Sequence, residues 1–462
     1  HRADSASFRL TRTGEDRGRL RLAVRREGRG RLGARADALW TRDRKEARLE
    51  ELVLESGPQT LELAGPATVT HDASGLAVRG LDLTGRAGGR LRADGTVPTT
   101  GQATLDLTGR ELDLAGLAGL VRPGLPVRGT LTATARLRGT AADPTMEAEL
   151  HVAEPGWRGL SYDSLTATLA YRDRRAEGRI ALRHGGRTLV RVEGGVRADL
   201  ALRQVEDRLP ENPMDLTVTA DSLPLALLLL PGESLQEVEG EAVGRVEVRG
   251  SPDSPRLSGR MEVRGGAARV VPLGVVFRDV GGGIGFDGSE VRLDGLRLTS
   301  SRGGRAEVDG TVGLAELTDP TLDLELRAHE LRALDRRRVS LAVDGRGQLT
   351  GRYRAAELTG RFRLSDGTIR VQEFMQQSEA VDLTDPELQA LVDTTGLAER
   401  RILARVQDPF LQNLRTDVAV ILGPDLWLRS PELDVEVAGE LDVRMDRARD
   451  DVRVFGEARL VR

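Results

Sequence analysis

The segment Thr321-Leu322-Asp323-Leu324-Glu325-Leu326-Arg327 puts leucine at every second position and a polar or charged residue between. In an extended strand successive side chains point to opposite faces, so this segment has one aliphatic and one charged face. The same alternation runs through Thr104–Thr108, Arg245–Arg249, Arg260–Arg264 and Glu432–Val437, while helix-period stripes are almost absent. Glycine doublets at 88–89, 185–186, 265–266 and 303–304 read as tight turns, because glycine supplies the positive φ that hairpins need. Gly281-Gly282-Gly283-Ile284-Gly285 also reads as a turn, since it lacks the strand–helix setting of a phosphate loop. Strands at intervals of roughly 10–14 residues predict an all-β chain built as a long antiparallel meander.

Three interruptions organise the chain. Asp113–Leu120 and Leu223–Leu230 are short apolar segments with helical character. Asp385-Pro386-Glu387-Leu388 opens a short helix near 385–394, with Asp385 as N-cap and proline at the first helical position. Around these links a unit of about 105 residues recurs: strand, apolar link, strand ending in Gly139, Gly250 or Gly351, turn, strand. The expected divisions are 1–103 as the first part of the sheet, repeats at 104–214 and 215–320, a weaker third at 321–371, and a distinct C-terminal portion at 372–462.

Composition excludes several functions. The 462 residues carry 68 basic and 72 acidic groups, a net charge of −4, which gives no reason to expect nucleic acid as a partner. Every basic residue except Lys45 is arginine, which reads more simply as a compositional bias than as anion recognition. Cysteine is absent, removing disulfides and thiolate metal sites. The longest apolar run, Leu223–Pro231, is too short for a spanning helix, which needs about 20 residues. His329-Glu330-Leu331-Arg332-Ala333 begins like a zinc-protease helix but lacks the second histidine, and the five histidines show no ligand spacing. No cofactor, metal or catalytic constellation is expected, and the chain does not read as an enzyme. Both ends fall inside the alternating pattern, so the sequence reads as part of something longer.

The aliphatic face is therefore the functional question. It either closes on itself as a core or stays open as a trough whose lining accepts an apolar guest. Aromatic residues are only 3%, so the lining is mostly Leu, Val and Ala in either case. The expected lining residues are Leu105, Leu107, Leu131, Val246, Val248, Met261, Val263, Leu322, Leu324, Leu326, Leu433, Val435, Val437, Leu441 and Val443. An acyl chain of about 16 carbons would gain on the order of 12 kcal/mol by leaving water for such a surface.

Asp408-Pro409-Phe410-Leu411-Gln412-Asn413-Leu414-Arg415 and the run Trp427-Leu428-Arg429-Ser430-Pro431-Glu432-Leu433-Asp434-Val435-Glu436-Val437-Ala438-Gly439-Glu440-Leu441 carry a family resemblance. The second resembles the entry to the C-terminal domain of TamB, within the AsmA-like group of bacterial envelope proteins. Upstream stretches such as Gly129–Pro144 and Tyr162–Tyr171 are similar in style to the repeats that precede it. The resemblance implies a β-taco: a long curved sheet with a hydrophobic groove in the periplasm, tethered to the inner membrane by a helix this chain lacks. The implied activity is passive phospholipid transport between inner and outer membranes, with acyl chains as the guest. The alternative it implies is a scaffold that assists outer-membrane barrel assembly with an Omp85-type partner.

Overall fold

The computed structural model describes residues 5–370 and 409–461, apart from 27–29, 42–43, 57–58, 87, 122–124, 158–159, 203–204, 206–207, 211–212, 229–234, 302, 338, 432 and 450. Strand accounts for 78% of the structure, against three short helices among the described residues, so the protein is all-β. Strands are numbered β1 to β28 in chain order. The expected helix near 385–394 lies outside the described residues.

The chain divides into two compact units, His1–Thr219 with Val248–Pro252, and Ala220–Glu247 with Asp253–Arg462. In the first, β7 (Gly75–Gly85), β8 (Arg90–Pro98), β9 (Thr104–Asp113), β10 (Val127–Gly139) and β11 (Pro144–Trp157) follow one another as antiparallel neighbours. β13 (Ser164–Arg172), β14 (Arg175–His184) and β15 (Arg187–Arg197) continue the ladder. Helix α1 (Leu114–Val121) interrupts it where Asp113 caps the first turn, its Oδ2 accepting from the Gly116 amide at 2.8 Å. Leu117 of α1 packs onto a core of Leu61, Leu83 and Leu112.

In the second unit β18 (Ser254–Val270), β19 (Val275–Gly288), β20 (Glu290–Ser300), β21 (Arg305–Gly313), β22 (Thr321–Asp335), β23 (Val339–Arg352) and β24 (Ala355–Arg370) are also sequential antiparallel neighbours. Then the expected all-antiparallel order breaks. β24 pairs in parallel with β25 (Arg415–Leu422) and, further along, with β26 (Leu426–Arg429). A tight hairpin cannot join parallel neighbours; only a long crossover connection can, and the chain from Arg370 to Arg415 supplies that length. β27 (Asp434–Asp446) and β28 (Asp451–Leu460) restore antiparallel pairing. One core cluster of this unit is Phe362, Val418 and Val420.

Two glycine readings need correction. Gly265-Gly266 lies inside β18, and Gly281–Gly285 lies inside β19. Neither is a turn; both sit at register shifts, where an inserted residue bends the strand. Glycine is required there by close approach: a Cβ on Gly282 would stand 2.7 Å from the Gly295 carbonyl oxygen. By contrast Gly185-Gly186 does connect β14 to β15, and Gly139, Gly250 and Gly351 share φ near +90° (84°, 94° and 100°).

The bulges recur with a fixed chemistry. Gly80, Gly295 and Glu330 have φ of 67°, 60° and 48°, which turns their amides out of the ladder. Each amide donates instead to an aspartate fourteen residues on, Asp94, Asp309 and Asp344, at 2.8, 2.8 and 2.9 Å. The neighbouring strand thus satisfies the donor that the bulge frees.

The charged face carries its own clamps. Asp82 on β7 accepts from Arg90 at 2.6 and 2.8 Å and from Arg92 at 3.0 Å. The Arg90 hydrogen bonds, aided by Arg92, hold its carboxyl at about 2 against burial, which acts the other way. A depressed carboxylate stabilises the fold above its unfolded value, 3.8, and that stabilisation is lost as pH falls from about 4 towards 2. Discounted for solvent screening, the clamp is worth about 1 kcal/mol. Asp82→Asn should be less stable than the parent by about that amount in urea titrations at pH 7, with the gap closing near pH 2. A gap that persists at pH 2 would show that the carboxylate charge is not its source.

Candidate functional site: an aliphatic face on each unit

Register and alternation together sort every side chain onto a face. In the second unit Val308, Leu326, Gly347, Gly360, Val418, Val443 and Val454 stand opposite one another across seven strands. The next row reads Gly310, Leu324, Leu349, Leu358, Thr416, Met445 and Val452, and a third reads Ala306, Ala328, Gly345, Phe362, Val420, Leu441 and Gly456. The intervening rows are charged: Asp309, Glu325, Gln348, Thr359, Asp417, Arg444 and Arg453 share the other face. Ion pairs such as Arg327–Asp309 at 3.2 Å and Arg444–Asp417 at 3.4 Å cross-link it.

The parallel strand keeps the face continuous because a parallel neighbour in register presents the same side. Glycines on the aliphatic face make room for the few large side chains. A Cβ at Gly347 would stand 2.6 Å from Cζ of Phe362, so the ring lies over bare backbone there.

In the first unit Leu81, Ala93, Leu107, Ala135, Ala148, Leu169 and Gly178 form one row. Leu83, Leu91, Gly109, Ala133, Leu150, Ala167, Ile180 and Val192 form the next. Coverage of this face is uneven. Where α1 lies over it, Leu61, Leu83 and Leu112 are buried. Farther along, Leu107, Leu150, Leu169 and Ile180 remain 36–44% exposed, on β9, β11, β13 and β14. Large aliphatic side chains aligned on one face and left in water mark a surface that something else covers.

The structure places the expected lining residues in two groups. Leu105, Leu107 and Leu131 share the aliphatic face of the first unit, Leu131 opposite Val152. Met261, Leu322, Leu324, Leu326, Leu441 and Val443 share that of the second, where Met261 continues the Leu324 row through Ile284 and Leu293. Val263 lies two residues from Met261 on β18, and Val437 and Val435 two and four residues from Gly439 on β27, on the same side. Val246 and Val248 alternate along β17 (Leu235–Ser251), the first buried and the second half-buried. Leu433 precedes β27 in a turn and is exposed. Sequence reasoning missed Leu150, Leu169 and Ile180, although the alternation Leu165-Thr166-Ala167-Thr168-Leu169 carries the same signal.

His329 lies in strand β22, not on a helix, with Nδ1 2.9 Å from Asp344. Among the described residues no group of three His, Asp or Glu is placed to hold a metal ion. No helix among them is long and apolar enough to cross a membrane.

These features define a class: an all-β protein of long strand meanders, aliphatic on one face and ionic on the other. The TamB C-terminal domain profile matches residues 79–299 and again 294–462. The chain belongs to the TamB family, which is associated with the bacterial envelope. The match begins far upstream of Asp408–Arg415 and Trp427–Leu441, the segments that carry the sequence resemblance. Searches of curated proteins and of solved structures find no match.

Proposed function

We propose that the aliphatic face receives phospholipid acyl chains, and that the protein is a periplasmic conduit along which lipid passes between the inner and outer membranes. The observation that carries this reading is the exposure of Leu107, Leu150, Leu169 and Ile180, from two adjacent rows of one face. A closed core would have buried them, at roughly 1.5–3 kcal/mol each. Covering them with methylenes gains about 0.8 kcal/mol per carbon, which offsets the cost of drawing a tail from a bilayer. The lining is mostly Leu, Val, Ala and Gly, so a tail meets few deep local minima along it. The head group stays in water and needs no dedicated contact for passage.

Gentle purification followed by mass spectrometry of extracted lipid tests the reading. Phospholipid should co-purify near stoichiometrically. A lipid-free protein that also takes up no phospholipid from vesicles would favour an assembly scaffold working with an outer-membrane barrel.

A further inference from the structure

A cavity of about 660 Å³ opens at the ends of β22, β23, β24 and β26. Five arginines wall it, Arg332, Arg336, Arg337, Arg370 and Arg429, together with the Trp427 ring, against three aspartates, Asp335, Asp366 and Asp425. It lies on the ionic side of these strands. Ser340, Thr368 and Trp427 stand in register there, while Ile369, Leu428 and Val435 form the aliphatic row behind them. The arginine bias of the sequence gave no hint of the cluster, because its members come from separate strands.

Two of the five arginines are oriented by backbone carbonyls and two by ion pairs. Arg336 donates to the carbonyls of Val271 and Pro272, and Arg370 to the carbonyl of Arg337. Carbonyl acceptors orient a guanidinium but do not neutralise it. Arg429 pairs with Asp434 at 3.0 Å and sits 5.3 Å from the centroid of the Trp427 ring. Arg332 is the most constrained: its side chain is only 9% exposed, and its terminal nitrogens bond Asp366 and Ser340. Its Nε–H is buried with no acceptor. A buried donor on a cation is unfavourable unless an oxygen reaches it. The ligand that answers a cluster of planar forks is an anion with several oxygens, which accepts paired N–H bonds. A water's share of liquid volume is about 30 Å³, so the cavity holds far more than a bare anion.

We propose that this cavity is a binding site for a phosphate group, taken either as free phosphate or as the headgroup of a phospholipid. The site does not depend on the aliphatic face accepting tails, since it lies on the opposite side of the sheet.

The test titrates the full chain with inorganic phosphate and, separately, with dihexanoyl phosphatidylglycerol below its micelle concentration, followed by ³¹P NMR and calorimetry. Saturable binding is expected, weakened about tenfold by Arg332→Lys and by Arg370→Gln, the loss typical of one charge-assisted bond. Arg370 is exposed at the rim, so Arg370→Gln should melt with the parent even if Arg332→Lys does not fold. Tighter binding of the diester than of phosphate assigns the site to lipid headgroups, and equal or weaker binding assigns it to free phosphate. No saturable binding of either probe, or binding that Arg370→Gln leaves unchanged, overturns the proposal. Dihexanoylglycerol, which has tails and no phosphate, reads the aliphatic face separately.

Discussion

Leu169→Asp combined with Ile180→Asp is expected to remove co-purifying lipid almost entirely while leaving a folded protein. Both side chains are more than two-fifths exposed, so replacing them forfeits only part of a full burial, about 1 kcal/mol each. Their effect on a guest is much larger. A carboxylate within a strip of methyl groups must lose water whenever a tail passes, and an unpaired charge set against hydrocarbon costs several kcal/mol. A penalty of about 3 kcal/mol already lowers occupancy roughly a hundredfold. Extracted phospholipid should fall below a tenth of the parental amount, with the circular dichroism unchanged and a melting transition that stays cooperative. Leu169→Asn with Ile180→Asn, polar but uncharged, should give an intermediate loss. If the doubly acidic protein keeps its lipid, the tails lie elsewhere. If it unfolds, these residues are core and the open-face reading is wrong.

Phe362→Ala should produce the largest loss of stability of any single truncation on the aliphatic face of the second unit. Phe362 is buried against Val418 and Val420, and Leu358, Leu364 and Leu441 pack around it. Its ring also lies over Gly347, and the glycine has no side chain with which to fill a void. Buried Phe→Ala changes cost about 3–5 kcal/mol, and the inability of the glycine strand to collapse argues against the low end of that range. Urea denaturation should therefore report about 3–4 kcal/mol. Phe362→Leu, which keeps most of the volume, should cost less than half as much. A loss under 1 kcal/mol for the alanine variant would mean that the ring lies on the surface and does not lock the strands.

The two predictions contrast because the same alternation yields two environments. Around Phe362 the aliphatic residues are dense enough to bury one another, and the parallel strand β25 brings Val418 and Val420 to the ring. Around Leu169 the neighbours in register are Ala148 and Gly178, too small to cover it. The same period therefore yields a locked region in the second unit and an open one in the first.

The period-two pattern by itself determined the strands, which residue lies on which face, and the class of side chain on each. Leu322, Leu324 and Leu326 could occupy one face only, because side-chain direction in a strand depends on the residue's own backbone and nothing distant. The short apolar links likewise announced α1, since Asp113 and the following leucines are local signals. What surrounds a face depends on residues far away in the chain, and only the tertiary structure decided it. It set the exposure of Leu107, Leu150, Leu169 and Ile180, the burial of Leu61 and Leu83 beneath α1, and the parallel pairing of β24 with β25. It placed Gly265 and Gly281 inside strands, because a bulge is specified by the partner strand as much as by the glycine. It also gathered Arg332, Arg370 and Arg429 around one cavity, although in sequence they are separate members of three alternating strands. Alternation is a property of neighbours along the chain, whereas coverage and convergence are properties of neighbours in space.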